Sequence, residues 1–338
     1  MEHVLDIFEN DAFSVLSLTR AINLIPNMYG RIGDMGLFRS EGVDTDSVGI
    51  ERENGVLNII PMGTRGGPAA KNRTGKRSLI RVGIPHVPLE DVVTAASLRG
   101  VRGMSYEGAL STVQSRVNKA MMDMKRKHDI TREWYRAGAL RGTVMDSDGS
   151  TVVDIFTLMG INQKAVDFVL GTDATNIDAK ITEVKDHIED NLLGDTMTGV
   201  GALCSRAWFS KFVNHKQVKE AYAHQLGVNP NRDDLSDGFD FKGVNFRVYR
   251  GKAPDENGNS RDFIVSGDVR FFPMGTNDTF VEYNAPGDMI DTVNMPGQPF
   301  YAAQEVQKFR KGVDLYTESD PLFFVRRPGV LVRGHTSN

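Results

Sequence analysis

The chain has 338 residues, of which 40% are hydrophobic and 25% are charged, and its formal net charge is −4 at pH 7. These values are ordinary for a globular protein of about two domains, and they exclude a protein whose whole surface is built to wrap nucleic acid. Cys204 is the only cysteine, so no intrachain disulfide can form, and no run of about 18 apolar residues predicts a transmembrane helix.

The first 48 residues are predicted to form an N-terminal arm. Residues 11–25 carry apolar side chains on one helical face, and Pro26 ends this short helix. A polar, glycine-rich stretch follows, which is too short to bury a core of its own. Residues 1–53 hold ten acids and four bases, which gives this segment a formal charge of −6.

Residues 49–84 are predicted to form an extended loop made of two extended runs around a flexible, basic tip from Gly63 to Arg77. No acid occurs between Asn54 and Leu89, while six bases do: Arg65, Lys71, Arg73, Lys76, Arg77 and Arg81. Opposite charge on neighbouring segments predicts head-to-tail contact between copies of the chain. We expect the contact residues at the tip to be Arg65, Lys71, Arg73, Lys76 and Arg77.

The strongest helix pattern runs over residues 105–136, where apolar residues recur at alternating steps of three and four. Gly138 and Gly142 are expected to end this helix. A coiled coil also fits the pattern, although the glycines and the strand pattern that follows favour one helix lying across a sheet. The other helix face carries bases that are expected to be solvated or to face an acidic partner: Arg116, Lys119, Lys125, Arg126, Lys127, Arg132 and Arg136.

After the helix, the sequence predicts a hairpin that turns at Asp148-Gly149, and then the pattern of predicted elements changes. Residues 161–300 alternate medium helices with strands, as expected for an independent α+β domain. The tail, residues 301–338, contains two further strand patterns, and we expect these strands to complete the sheet begun near residue 143. The overall fold class predicted is therefore α+β.

No motif predicts catalysis, a metal ion or a cofactor. Gly75-Lys76 lacks the flanking residues of a phosphate-binding loop, since Ala70 and Arg77 stand at the required positions. The hairpin at Asp148 lacks the ligands of a calcium loop, and a solvated loop is the ordinary interpretation of Asp233, Asp234, Asp237 and Asp240. Cys204 has no persuasive base partner, and His128 is expected to be a core histidine. The sequence thus predicts a protein that is not an enzyme.

The order of these parts resembles the major capsid proteins of tailed bacteriophages with the Hong Kong 97 type fold, and in particular the lambda-type capsid protein E family. Four local matches carry the resemblance, which covers nearly the whole chain. They are Leu140-Arg-Gly-Thr-Val leading through Asp148-Gly149 to Val153-Asp-Ile, Ala207-Trp-Phe-Ser-Lys-Phe followed by Lys216-Gln-Val-Lys-Glu220, Phe241-Lys-Gly-Val-Asn-Phe-Arg-Val-Tyr, and Asp320-Pro-Leu-Phe-Phe.

The resemblance implies a role for each segment. Residues 49–84 would be the extended loop lying over an adjacent subunit, residues 105–136 the spine helix of a peripheral domain formed by 85–160 and 301–338, and residues 161–300 the axial domain. The protein would form pentamers and hexamers that close into an icosahedral shell around double-stranded DNA, with non-specific DNA contact. A scaffolding protein, a portal and a decoration protein would be its other partners.

Three alternatives stay open on the sequence alone. A bacterial nanocompartment shell shares the implied fold and would be told apart by a neighbouring cargo gene. A soluble enzyme could use residues 161–300, and a nucleic-acid-binding regulator is disfavoured by the net charge. The amino terminus lacks the basic and apolar stretches of a signal peptide, so a cytoplasmic site of synthesis and assembly is expected. The resemblance implies residence in the virion.

Overall fold

A computed structural model describes residues 15–24, 30–53, 77–94, 97, 106–223, 238–255 and 257–338. For residues 51–53, 77–78, 106–114, 222–223 and 310 it describes the backbone alone.

The described residues form helices and strands in a mixed order, which confirms the α+β class. The helices are α1 (Val15–Leu24), α2 (Arg31–Asp34), α3 (Tyr106–Arg141), α4 (Ile155–Met159), α5 (Ile177–Asp190), α6 (Arg206–Asn214) and α7 (Lys216–Ala223), with 3-10 turns at Ile290–Thr292, Lys308–Arg310 and Pro328–Val330. The strands are β1 (Arg39–Gly42), β2 (Ser47–Glu53), β3 (Arg77–Gly83), β4 (Pro88–Thr94), β5 (Thr143–Met145), β6 (Thr151–Asp154), β7 (Lys164–Asp167), β8 (Gly199–Cys204), β9 (Gly238–Phe241), β10 (Val244–Val248), β11 (Lys252–Pro254), β12 (Ser260–Asp262), β13 (Asp268–Met274), β14 (Phe280–Asn284), β15 (Tyr301–Val306), β16 (Gly312–Glu318), β17 (Pro321–Val325) and β18 (Val332–His335).

A six-stranded mixed sheet in the order β7-β18-β13-β8-β10-β9 lies at the centre of the main core. Two of its strands, β8 and β13, are buried over almost their whole length. On one side α6 buries Trp208 and Phe212, whose rings stack at a centroid distance of 4.9 Å. Phe212 also stacks on Phe246 of β10 at 4.6 Å, so an aromatic cluster fixes this helix to the sheet.

The long helix α3 joins two hydrophobic cores. Its first half buries Val117, Met121 and Met124 in a smaller core with α1 and the three-stranded sheet β15-β16-β4. Its last turns bury Ala139 and Leu140 in the main core. At 1.5 Å per residue, 36 residues make a rod of about 54 Å.

The helix is longer than predicted because Gly138 does not end it. A side chain at Gly138 would lie 3.0 Å from Cα of Val144 and 3.1 Å from the carbonyl oxygen of Thr143, so glycine is needed there for close approach of β5. The predicted stop at Gly142 is confirmed, since this residue has a φ of 86° and its amide donates to the carbonyl of Ala139.

The tail strands do not complete the sheet begun near residue 143, and that prediction was wrong. β5 and β6 pair only with each other among the described strands. β16 instead pairs with β15 and β4, β17 pairs with β14, and β18 enters the six-stranded sheet between β7 and β13. β17 and β18 form their hydrogen bonds with strands that lie within residues 161–300. The strand pairing therefore crosses the bounds expected for the two domains.

The segment 30–42 is also more than an external arm. Ile32 is fully buried in the main core, and β1 pairs in parallel with β14 over four residues. A short segment can do this because the core it joins is supplied by the rest of the chain.

Candidate functional site

The extended loop predicted for residues 49–84 begins and ends in a two-stranded ladder. β2 pairs antiparallel with β3 in a register that sets Ser47 opposite Gly83 and Glu53 opposite Arg77. Seven residues on each strand give a ribbon of about 20–25 Å. A single two-stranded ribbon is only marginally stable in water by itself, so its attachment to the body decides whether it holds one orientation.

One face of the ribbon packs on the body and the other face is exposed. Ile50 and Val82 are both buried in the main core. On the opposite face of β3, Leu79 is 67% exposed. Glu53 and Arg77 form the last pair of the ladder, so the chain between them starts at the end of the ribbon opposite to Ser47 and Gly83.

The incoming strand of the ribbon is held by backbone hydrogen bonds. The amide of Val43 donates to the carbonyl of Asn284 at 2.9 Å, and the amide of Gly297 donates to the carbonyl of Val43 at 2.8 Å. No side chain would fit at Gly42, where a Cβ would meet the carbonyl oxygen of Gly297. These contacts fix where β2 starts.

The outgoing strand is held at Asp320. One oxygen of this buried carboxylate lies 2.9 Å from Nδ1 of His86 and accepts the amide hydrogen of Val87 at 3.1 Å. Burial raises the pKa of Asp320, although the nearby imidazole of His86 opposes that rise. The amide of Ser319 also donates to the carbonyl of Val87 at 3.2 Å, so residues 86 and 87 are fastened on both sides.

A buried carboxylate on α3 ties the N-terminal segment to the body. Glu133 is fully buried and accepts the amides of Ile32 at 2.7 Å and Gly33 at 3.1 Å, which are the first free donors of α2. It also accepts the hydroxyl hydrogen of Tyr249 at 2.7 Å. One side chain thus joins three parts of the chain.

The predicted solvated face of α3 is only partly solvated. Arg116, Lys119, Arg126 and Lys127 are exposed, as expected, but Lys125 and Arg132 are buried. Lys125 pairs with Asp129 at 2.8 Å. Arg132 pairs with Glu282 of β14 and donates to the carbonyl of Pro299 at 3.0 Å, so this base faces an acid of its own chain. Burial alone would raise the pKa of Glu282, but Arg132 and Arg136 outweigh it and hold this pKa below its usual value.

Four of the five predicted tip residues, Arg65, Lys71, Arg73 and Lys76, lie outside the described residues. Arg77 opens β3, opposite Glu53 in the ladder. The structure therefore describes the ribbon on either side of the tip and not the tip itself. The contacts of His86, Glu133 and Asp320 were not predicted, because nothing in the sequence indicates which distant segment a lone acid or histidine will contact.

The side chains considered for chemistry have structural partners. Cys204 is fully buried, and burial raises the pKa of its thiol well above its usual value. Asp148 accepts the amide of Ser150 within the predicted hairpin turn. Asp240 lies in β9, where a solvated loop was expected, and accepts a hydrogen bond from Asn245. Asp233, Asp234 and Asp237 lie outside the described residues.

Three potential metal ligands come together among the described residues. His86, Glu318 and Asp320 hold their ligand atoms within 4.8 Å of one another. Glu318 already accepts the amide of Asp288 and the hydroxyl hydrogen of Tyr316, both at 2.8 Å, and Asp320 holds the ribbon root. These hydrogen bonds explain why the three side chains lie close together.

Two surface features complete the description. An open groove of about 540 Å³ lies between α1 and the segment 292–301. In the part of the chain that the structure describes, no helix has the length and apolar character to cross a membrane.

The comparison with known proteins agrees with this arrangement. The family described as phage major capsid protein E matches residues 14–336. The chain is 26% identical to the major capsid protein of Salmonella phage Felix O1 (isolate Felix O1-VT1), over 96% of each chain. It is 27% identical to the major capsid protein of Pseudomonas phage KPP10, over 95% of this chain and 96% of that protein.

The fold is also found among solved structures. The capsid structure of the cyanophage P-SCSP1u matches with a TM-score of 0.53 at 9% identity, over 89% of this chain and 86% of that chain. This likeness concerns the fold, whereas the family match spans nearly the whole sequence. The chain therefore belongs to the phage major capsid protein E family.

Proposed function

We propose that this chain is the shell-forming subunit of a phage head and that its extended loop, residues 49–84, lies over an adjacent copy. The observation that carries the proposal for the loop is its root. The ribbon is fastened at Val43 and Val87, one of its faces is exposed at Leu79, and the chain leaves it at the pair Glu53–Arg77, at the end opposite to the fastened one, which supports a loop that contacts another copy. The shell is a component of the virion, and the family supports a structural rather than an enzymatic role.

The proposed mechanism is multivalent self-association into pentamers and hexamers that close into an icosahedral shell around double-stranded DNA. Each subunit makes several modest contacts, and their multiplication around a ring stabilises the assembly far beyond a single contact. The bases Arg65, Lys71, Arg73, Lys76 and Arg77 supply one such contact against acidic surface on a neighbour. Contact with the packaged DNA is non-specific and minor, because the chain carries a net negative charge.

The division into peripheral and axial parts is proposed with bounds that follow strand pairing. The peripheral domain would contain α3 with the sheets β15-β16-β4 and β1-β14-β17. The axial domain would contain the six-stranded sheet, including β18 from the tail. Both share the main core, so the two parts are expected to move together within one subunit.

The further partners proposed are a separate scaffolding protein, a portal and, for some shells, a decoration protein.

Neutralising the loop tip tests the proposed function of the loop. A variant with Arg65, Lys71, Arg73, Lys76 and Arg77 all changed to Gln should stay folded but form no shells, because the contact loses its five positive charges. Electron microscopy of the expressed protein and circular dichroism of the free subunit measure the two properties.

The matched control removes five positive charges elsewhere. Arg116, Lys119, Arg126, Lys127 and Lys219 are exposed and lie outside the loop. Their replacement by Gln changes the net charge equally and should leave shell formation within the range of the unchanged protein. Normal shells from the loop variant would contradict the role given to the tip.

A further inference from the structure

The hairpin β15–β16 ends in a tip, residues 307–311, that presents an aromatic ring to solvent. Phe309 is 88% exposed and has a φ of 64° and a ψ of 16°. Left-handed backbone is uncommon for a bulky residue and costs free energy, so it indicates a function that the conformation serves. Lys311 places its Nζ 5.9 Å from the ring centroid.

The hairpin tip is also basic. Lys308, Arg310 and Lys311 flank Phe309 in the sequence, with no acid in this stretch of four residues. Lys308 and Lys311 are exposed. The tip therefore combines one large exposed apolar group with neighbouring positive charge, which suits an apolar surface bordered by acids.

Such a surface lies at the other end of the same hairpin. The loop 286–299, called here the acidic loop, contains Asp288 and Asp291 and no base. Its apolar side chains point outward, since Ile290 is 92% exposed and Val293 is 62% exposed. Scattered exposed apolar residues need no explanation, but several on one short loop mark an interaction site.

The acidic loop is held in a fixed shape despite its exposure. The amide of Asp288 donates to Glu318 at 2.8 Å, and the hydroxyl of Thr292 donates to the carbonyl of Gly287 at 2.6 Å. The amide of Gln298 donates to the hydroxyl of Tyr301 at 2.7 Å. A preformed surface loses little conformational entropy when it binds.

A groove beside the acidic loop can receive the ring. It is lined by Leu16 and Leu24 of α1 on one side and by Met295 and Tyr301 on the other. Leu24 is 82% exposed, and the groove volume of about 540 Å³ is ample for one aromatic side chain. Arg20 is the base on its α1 wall.

The two surfaces of one subunit cannot meet each other. Tyr301, at the groove, and Val306, below the tip, are the two ends of β15. Five steps of extended strand separate them by about 17 Å. A complementary pair of surfaces held apart on one rigid hairpin can be satisfied only between different copies, and such a heterologous contact forms a ring when the rotation between copies closes.

The geometry points to a contact in which Phe309 of one subunit enters the α1 groove of a neighbouring subunit, with Lys308 and Lys311 beside Asp288 and Asp291 of that neighbour. This inference rests on the proposed shell function, and it names a contact distinct from the extended loop. The partner is a second copy of this chain.

Cross-linking with engineered cysteines tests the contact, and the natural Cys204 does not interfere because it is fully buried. The test variant is Phe309→Cys with Met295→Cys, expressed under the conditions in which the unchanged protein forms particles. After mild oxidation, denaturing electrophoresis without reductant should show a ladder of linked chains, because each subunit links to a different neighbour at each end. The matched control is Phe309→Cys with Val265→Cys, since Val265 is exposed elsewhere, and it should remain a single-chain band.

Each other outcome overturns the inference in a specific way. A disulfide within one chain would mean that the tip reaches its own groove. Linked pairs from Phe309→Cys alone would mean that tips meet tips. Particles without any ladder would overturn this contact while leaving the shell function intact, whereas absence of particles from the unchanged protein would count against the proposed function itself.

A charge exchange checks the polar part of the contact. Lys308→Glu with Lys311→Glu should lower particle yield about tenfold, because like charges would then face each other across the interface. Adding Asp288→Lys and Asp291→Lys in the same chain should restore the yield. Failure of this restoration, with all variants folded, would contradict the pairing of tip and acidic loop.

Discussion

Glu133 shows how little of a buried polar contact can be predicted from one residue. Its place on α3 follows from the helix pattern, but the acid has the same sequence environment as the exposed acids of other helices. Its partners, the amides of Ile32 and Gly33 and the hydroxyl of Tyr249, lie about 100 residues away on either side of it in the chain. Only the three-dimensional arrangement shows that this carboxylate completes the first turn of α2.

His128 is a residue whose role was predicted correctly from its position on the apolar face of α3. It is 2% exposed, and its Nε2 lies 3.0 Å from the hydroxyl of Thr317. Burial, together with the nearby charge of Arg132, lowers its pKa from 6.5 to about 4. The folded protein therefore disfavours the protonated imidazole.

This pKa predicts a pH dependence of stability. A lowered histidine pKa contributes stability that is complete above pH 6.5 and is lost as the pH falls toward 4. Between pH 7 and 4.5 this one group should cost the subunit about 2–3 kcal/mol of unfolding free energy. The variant His128→Gln cannot titrate but can still form a hydrogen bond with Thr317. Between pH 7 and 4.5 its unfolding free energy should therefore fall by about 2–3 kcal/mol less than that of the unchanged protein.

Urea unfolding of the two free subunits at both pH values measures the difference. Because every other ionisable group is shared, the comparison isolates His128. Equal losses in the two proteins would show that His128 is not held neutral by its surroundings.

At the scale of elements, the existence of the long helix was predictable and its end was not. The apolar repeat places α3 within one residue at its start. Gly138, which sequence rules favour as a stop, lies inside the helix because β5 passes directly over it. The need for glycine arises from a tertiary contact, and a propensity argument about helix ends cannot detect it.

Gly138→Ala tests that explanation. Alanine is the better helix former by about 1 kcal/mol, so an isolated helix would gain stability. In this protein the new methyl group would press on Val144 and Thr143, and the subunit should lose about 1–3 kcal/mol of unfolding free energy. Ser115→Ala, at an exposed position of the same helix, is the control and should be neutral or slightly stabilising.

Strand pairing was the least predictable feature at this scale. Individual strands such as β10, β16 and β17 follow from alternation or apolar runs. Their partners do not, because a strand buried throughout, such as β17, would fit any sheet interior, and the alternation of buried and half-buried residues in β18 would fit any sheet with one covered face. The tail was therefore assigned to the wrong sheet, although its strands were placed correctly.

At the scale of the whole molecule, the order of parts carried more information than any motif. A basic extended loop, one long helix and a mixed α/β region in that order identified the family and the fold class. The surfaces that join subunits stay predictions, because charge and glycine content indicate that a segment is extended without indicating what it contacts. The ribbon root adds direction to the loop, and the hairpin tip adds a second surface that no sequence pattern had indicated.

A reconstruction of the particle by cryo-electron microscopy tests the central claim most directly. The protein would be expressed with its neighbouring genes, and density would be traced from Glu53 to Arg77. The account predicts closed icosahedral shells of pentamers and hexamers in which this segment crosses onto an adjacent subunit. Closed shells in which residues 54–76 fold back on their own subunit, or a protein that stays monomeric, would contradict it.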